Sequence, residues 1–217
     1  MRRGVMLCLL CALFVGLLPL VPSEARQALD IYFPLDDQDA EDHGDALVTS
    51  GSGSMTILVK RADFNWFEYF SLPKNANFRN SFTISTEVTS VQERGIAGIA
   101  LGNGEIDLLF AIRQEASTGK DNGSVQIGIA NRDEVDYLKK KTITYPQIPF
   151  TLRMDYNVNT GEVAGYLNDT LILRADKGDS SRLVSISTVK TAALYAGSLP
   201  QYSKASVTFG ELALQAE

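Results

Sequence analysis

Glu105-Ile-Asp-Leu-Leu-Phe-Ala-Ile-Arg-Gln-Glu115 decides the fold class. Side chains of a strand alternate between its two faces, so Ile106, Leu108, Phe110 and Ile112 fall on one side and Glu105, Asp107, Leu109, Ala111, Arg113 and Glu115 on the other. The first set can seal a core. The second offers charge to water or to a ligand. The same division recurs in Phe150-Thr-Leu-Arg-Met-Asp-Tyr-Asn-Val158, which buries Phe150, Leu152, Met154, Tyr156 and Val158 and leaves Thr151, Arg153, Asp155 and Asn157 outside. Repeated two-faced strands of this kind build a β-sandwich.

Working outward, short strand-like runs follow one another from Met55 to Leu214, separated by turn chemistry at Gly102-Asn-Gly104, Asp121-Asn-Gly123, Asn159-Thr-Gly161 and Asn168-Asp169. Glycine and asparagine tolerate the positive φ angles of tight hairpins. Helical spacing is weak throughout; Arg132 to Lys140 reads as a turn or two at most, followed by a strand from Lys141. A further strand is expected at Val184 to Val189. Many strands without helices imply a sandwich or a barrel. The segment Asp36 to Ser54, dense in charge and then in Gly and Ser, reads as a long solvated loop.

The amino terminus has the form of an export signal: basic Arg2 and Arg3, an apolar run from Met6 to Val21, then Ser23-Glu-Ala25 with small residues where signal peptidase requires them. Residues 1–25 are therefore expected to be removed, leaving 26–217 as a single domain, secreted or periplasmic, with no membrane insertion after cleavage. Cys8 and Cys11 leave with the signal, so disulfides and thiolate chemistry are excluded from the mature chain. The whole chain has 20 basic and 26 acidic residues; losing Arg2, Arg3 and Glu24 leaves 18 and 25, a formal charge of −7. Such a balance argues against nucleic acid as a partner.

The order of Phe78 to Val88, Gly95-Ile-Ala-Gly-Ile-Ala-Leu-Gly102, the Glu105 strand, Pro149 to Tyr156, Gly161-Glu-Val-Ala-Gly-Tyr-Leu-Asn168 and Ala205 to Leu214 resembles the concanavalin A-like lectin/glucanase superfamily. The resemblance runs from Ser81 to Leu214 and lies in pattern. It implies an all-β, antiparallel, two-sheet jelly roll, and many functions share that fold. Glu105-Ile-Asp107 also resembles the start of the signature of retaining glucanases, Glu-x-Asp followed by a second Glu. Retaining hydrolysis needs two carboxyls about 5–5.5 Å apart. Leu109 or Phe110 stands where the second Glu belongs, so the pair is broken.

A carbohydrate-binding, lectin-like module is the function these readings favour, with a glycan or polysaccharide held by Asp107, Arg113, Arg153, Asp155 and Tyr166 on one polar sheet face, joined by Glu87 and Gln126. Carboxylates accept from sugar hydroxyls, arginine donates in a fixed fork, and a ring covers the apolar face of a pyranose. Trp66, in Phe64-Asn-Trp-Phe-Glu-Tyr-Phe70, is the candidate stacking ring if it is exposed, and a packing residue otherwise. The rival is an extracellular protein-interaction or structural module using edge loops such as Asp36 to Ser54; a glycoside hydrolase pairing Asp107 with Asp155 is a third reading. A concave face with an exposed ring favours sugar, and a flat face of mutually paired charges favours the rival. No complete catalytic set is legible, and no cofactor is implied. Calcium is common in the superfamily, and Asp36, Asp37, Asp39, Glu41, Asp42 and Asp45 offer hard oxygen ligands. Their spacing is not that of an EF-hand, and a solvated loop is the simpler reading. His43 is the only histidine, which excludes a multi-histidine zinc site. Gly98, Gly102 and Gly104 lack the strand–glycine–helix context of a phosphate loop. Asn122-Gly-Ser124 and Asn168-Asp-Thr170 are glycosylation sequons.

Overall fold

Alternating apolar side chains force two sheets face to face, and the computed structural model shows them. It describes residues 29–35, 40–73, 80–115, 122–131, 134–186 and 188–216. The expected signal segment lies outside these residues, as do Asp36, Asp37 and Asp39. The larger sheet runs in the order β13 (Thr170–Ala175), β12 (Glu162–Leu167), β11 (Phe150–Asn157), β6 (Ser81–Gln92), β15 (Ala205–Ala216), β4 (Ser54–Val59), β3 (Ala46–Gly51) and β2 (Ala40–Asp42), with β1 (Leu29–Phe33) also paired to β15. The smaller sheet runs β10 (Glu134–Thr144), β9 (Asn122–Asn131), β8 (Asp107–Gln114), β7 (Ile96–Gly102), β14 (Thr191–Gly197) and β5 (Asn65–Ser71). Neighbouring strands are antiparallel throughout, and the described residues contain no α-helix, only a 3-10 turn at Ser181–Val184.

Between the sheets lies one apolar layer. Ile84, Leu108, Phe110, Ile127, Leu152, Met154, Leu167 and Phe209 are all buried in it, as their alternation requires. Tyr156 is also there, its hydroxyl donating 2.6 Å to the carbonyl of Leu183, so the one polar atom of a buried ring is satisfied. Asn168 and Asp169, with φ of 48° and 60°, form the tight turn joining β12 to β13.

Three expectations change. The stretch 40–51 is a β-hairpin: Ala40–Asp42 pairs with Leu47–Thr49, and β3 continues the sheet beside β4. Its carboxylates are matched to cations, Asp42 to Lys60 at 2.7 Å and Asp45 to Arg61 at 3.1 Å, which offsets the charge density that read as a loop. Secondly, residues 134–144 form a strand paired to β9, with an irregularity between Tyr137 and Lys139 that shifts the register and hides the alternation. Thirdly, Val184 to Val189 holds no strand; the chain there makes the 3-10 turn, and Leu183 and Ile186 are buried as plugs.

Candidate functional site

Strand order divides the expected binding face in two. Asp107, Arg113 and Gln126 lie on the outer face of the six-stranded sheet, on β8 and β9. Arg153, Asp155, Tyr166 and Glu87 lie on β11, β12 and β6 of the nine-stranded sheet, whose outer face is on the far side of the core. The two groups therefore form no common site. Asp107 and Asp155, separated by the whole core, cannot flank one glycosidic bond. Trp66 is not a stacking ring on either face. It is half-buried against the inter-sheet core, stacks on His43 at 4.5 Å between ring centres, and donates its indole N–H to Glu68 at 3.1 Å.

On the nine-stranded sheet the charges are spent on one another. The Arg153 guanidinium lies 3.9 Å above the Tyr166 ring, reaches Asp169 at 2.8 Å, and sits 3.4 Å from Asp155. Asp155 also accepts from the Thr83 hydroxyl at 3.0 Å, and Arg174 holds Glu162 at 2.8 Å. A shallow depression of about 310 Å³ lies beside Asp155, Glu162, Tyr166 and Arg174, and the three charged groups among them are held in these pairs. Arg–carboxylate pairs of this exposure keep a sheet soluble and contribute little else.

The outer face of the six-stranded sheet is different. Register sets its residues in rows across the strands: Phe67, Tyr195, Gly98, Ala111, Gln126 and Lys140 in one, and Tyr69, Ala193, Ala100, Leu109, Gly128 and Tyr137 in the next. The middle of each row is mostly small; the second row has a tyrosine at both ends, and the first has Phe67 and Tyr195 at one end and Gln126 and Lys140 at the other. Gly98 leaves room for the Tyr195 ring, since a Cβ there would stand 3.0 Å from Tyr195 Cδ1. Tyr195 is fully buried, packs 4.7 Å from Phe67, and donates to Asn65 Oδ1 at 2.6 Å. With Ile96, Ala100, Leu109, Ala111, Ala193 and Leu199 it forms a second apolar cluster on this outer face. The polar side expected of β8 is thus largely dry: Leu109 and Ala111 are as buried as Leu108 and Phe110.

Above that floor stand two exposed rings, Tyr69 at 48% and Tyr137 at 39%. The Tyr69 hydroxyl donates to Asp107 Oδ2 at 2.6 Å. Their strands are three spacings apart, about 14 Å on a flat sheet, farther than a tyrosine and an aspartate can bridge. The sheet must curl towards this face, making it the hollow side of the sandwich. Burial pushes the Asp107 carboxyl up from its ordinary range, against the lowering effect of the Tyr69 hydrogen bond. The same pairing, with burial, drives the Tyr69 phenol well up.

At the other end of the face Arg113 and Lys140 converge on Glu115, at 3.1 and 3.0 Å, and Arg113 also donates to the buried Ser124. Burial alone would raise the Glu115 carboxyl, but hydrogen bonds from Lys140, Ser124 and Arg113 prevail and hold it at about 2. A carboxylate whose folded value lies below its ordinary 4.5 stabilises the fold fully above that value and loses the contribution as pH falls towards about 2. Glu115→Gln is accordingly expected to lower the urea midpoint at neutral pH, with the gap from wild type closing on acidification through that window. A gap independent of pH would show that the carboxylate's charge is not what matters.

Sequence reasoning missed Tyr69, Tyr137, Phe67 and Tyr195 as site residues. The alternation in Phe64 to Phe70 already separated Phe67 and Tyr69 from Trp66; only the choice of side was open. Glu105 precedes β8, exposed, with its backbone N–H held by Asn103 Oδ1, and Leu109 fills the position of the second glucanase carboxylate.

No protein-family model and no curated protein sequence matches the chain. Among solved structures it is similar to the kappa-carrageenase from Pseudoalteromonas carrageenovora in complex with an oligotetrasaccharide of kappa-carrageenan, at 6% identity over 90% of this chain and 98% of that one, with a TM-score of 0.51. It is similar also to a Crh5 transglycosylase in complex with NAG (10% identity, 86% and 84% covered, TM-score 0.51) and to a native glycosidic hydrolase (9%, 85% and 94%, TM-score 0.50). At such identities the likeness is one of fold. The chain shares their fold, an antiparallel two-sheet jelly roll.

Proposed function

We propose that this protein is an exported glycan-binding module without hydrolytic activity, and that it holds its ligand on the hollow face of the six-stranded sheet. One observation carries the reading: Tyr69 and Tyr137 stand exposed above a floor of small residues, beside the almost buried carboxylate of Asp107. Rings at that height cover the apolar face of a pyranose, and the carboxylate accepts from its hydroxyls. The fold shared with carbohydrate-active proteins supports the same reading, as does the export signal expected from the sequence. Hydrolysis is set aside because Leu109 replaces the second carboxylate of the glucanase pair and Asp155 is on the opposite face. The described charges around Arg153 are paired with one another, so Arg153, Asp155 and Tyr166 drop out of the proposed site.

Titration against a panel of soluble oligosaccharides tests this. Tyr69→Ala and Tyr137→Ala are each expected to weaken binding about tenfold, the loss of one ring contact. Arg153→Ala is expected to leave affinity unchanged. Absence of binding to any glycan by the wild-type protein would transfer the assignment to the protein-interaction module. Turnover of an oligosaccharide that disappears in Asp107→Asn would make it a hydrolase.

A further inference from the structure

Among the described residues, no cation is paired with Asp107. It is only 8% exposed, and the one group bonded to it among the described residues is the neutral Tyr69 phenol on Oδ2. Among the described residues, Arg113 and Lys140 at the other end of the face are both bound to Glu115, and Lys190, next to Thr191, bonds Gly102 through its backbone and makes no ion pair with Asp107. The other oxygen, Oδ1, leans over Gly102: a methyl group at that position would collide with it and would lie 2.7 Å from Thr191 Oγ1. Glycine at 102 therefore lets two oxygens converge in a corner over the bare backbone of β7. Thr191 Oγ1 is buried and has no hydrogen-bond partner among the described residues. Buried polar atoms are ordinarily paired, and a desolvated carboxylate is costly until a cation or several donors reach it. The corner supplies a carboxylate and a hydroxyl that can donate or accept, and among the described residues no cation is paired with it.

We infer that the Asp107–Thr191 corner receives the ammonium group of an amino sugar, so that the preferred ligand of this face is a glucosamine-containing, de-N-acetylated glycan. The inference rests on the glycan-binding reading above and adds the ligand's charge to it. An ammonium brings several N–H donors on one positive centre, enough for Oδ1 and the threonine hydroxyl together. Tyr69, exposed and hinged on the same carboxylate, is the ring that covers the sugar bearing that group. A 2-acetamido sugar puts a bulkier, uncharged amide into the corner. A uronate or a sulfate ester brings a second negative charge against Asp107 and is repelled.

The test is calorimetric titration of the mature protein with hexamers of glucosamine, N-acetylglucosamine and galacturonate, under conditions in which the glucosamine amine is protonated. The glucosamine hexamer is expected to bind about tenfold more tightly than the acetylated one, the yield of one partly desolvated charge pair. The galacturonate hexamer is expected not to bind. Salt should erode the preference, because screening weakens the ion pair and spares ring stacking. Asp107→Asn should erase the preference, weakening the glucosamine hexamer far more than the acetylated one. Thr191→Val, which removes only the unpartnered hydroxyl, should reduce the preference several-fold without lowering stability; it decides the matter should Asp107→Asn fail to fold. Equal affinity for the two hexamers, or tighter binding of the acetylated one, overturns the amino-sugar inference and leaves the glycan reading standing. A preference untouched in Thr191→Val overturns the corner as its source. If none of the hexamers binds and a broader neutral panel also fails, the glycan reading falls and this inference with it.

Discussion

Phe110→Ala is expected to lower the unfolding free energy by about 3–5 kcal/mol, the range for deleting a large buried ring. The ring is fully buried between the sheets, and its environment cannot collapse to fill the void. Gly165 on β12 is the reason: a Cβ at that position would collide with Cδ2 and Cε2 of the ring. Phe110 thus projects from β8 across the core onto the bare backbone of the facing sheet, and no side chain stands there that might relax into the space. Phe110→Leu should recover part of the loss, because a smaller cavity remains. Urea unfolding monitored through Trp66, the single tryptophan, gives both values. A loss below about 1 kcal/mol, the level of an ordinary surface change, would mean that the two sheets do not meet across Phe110 and Gly165.

The same strand shows how far the sequence could be read. Alternation works where one face is wet. β11 is buried and half-buried by turns from Phe150 to Asn157, and its assignment from sequence holds residue by residue. β8 is buried on both faces from Asp107 to Ile112, so its outward set was credited with more water than it has. The signal lay in Leu109 and Ala111, apolar residues in the positions assigned to solvent. Which strands share a sheet was not legible at all. Asp107 and Arg153 both point outward, but β8 and β11 belong to different sheets, and only the strand order fixes this. β10 was hidden by its own chemistry: Lys139, Lys140 and Lys141 reach Asp179, Glu115 and the Ile172 carbonyl, and such a charge run on an edge strand looks in sequence like a solvated turn. Tyr137 went with it, and half of the aromatic flank of the site was lost from view.

Tyr195→Ala is expected to cost about as much as Phe110→Ala, roughly 3–5 kcal/mol, although Tyr195 lies outside the inter-sheet core. In a single-core sandwich a residue on the outer face of a sheet is solvated and cheap to remove. Here the outer face of the six-stranded sheet carries its own apolar cluster, with Tyr195 fully buried over Gly98 and against Phe67. Removing the ring uncovers Ala100, Leu109, Ala111 and Ala193 together. Tyr195→Phe separates burial from bonding. It keeps the ring and deletes the hydroxyl's bonds, the 2.6 Å one to Asn65, a residue exposed enough for water to take the donor's place, and the contact with Tyr137. A loss of about 0.5–1.5 kcal/mol is expected for it. The two variants should also part in function. Phe67 leans on Tyr195 at 4.7 Å and on Tyr69 at 5.8 Å, so the exposed ring of the proposed site is propped through that chain of contacts. Tyr195→Ala should therefore weaken glycan binding even where the protein remains folded, and by more than Tyr195→Phe, which keeps the prop beneath Phe67 and Tyr69. Equal and small effects of both variants on stability would mean that the second cluster is only a wet surface, and the floor on which the site is argued to stand would be gone.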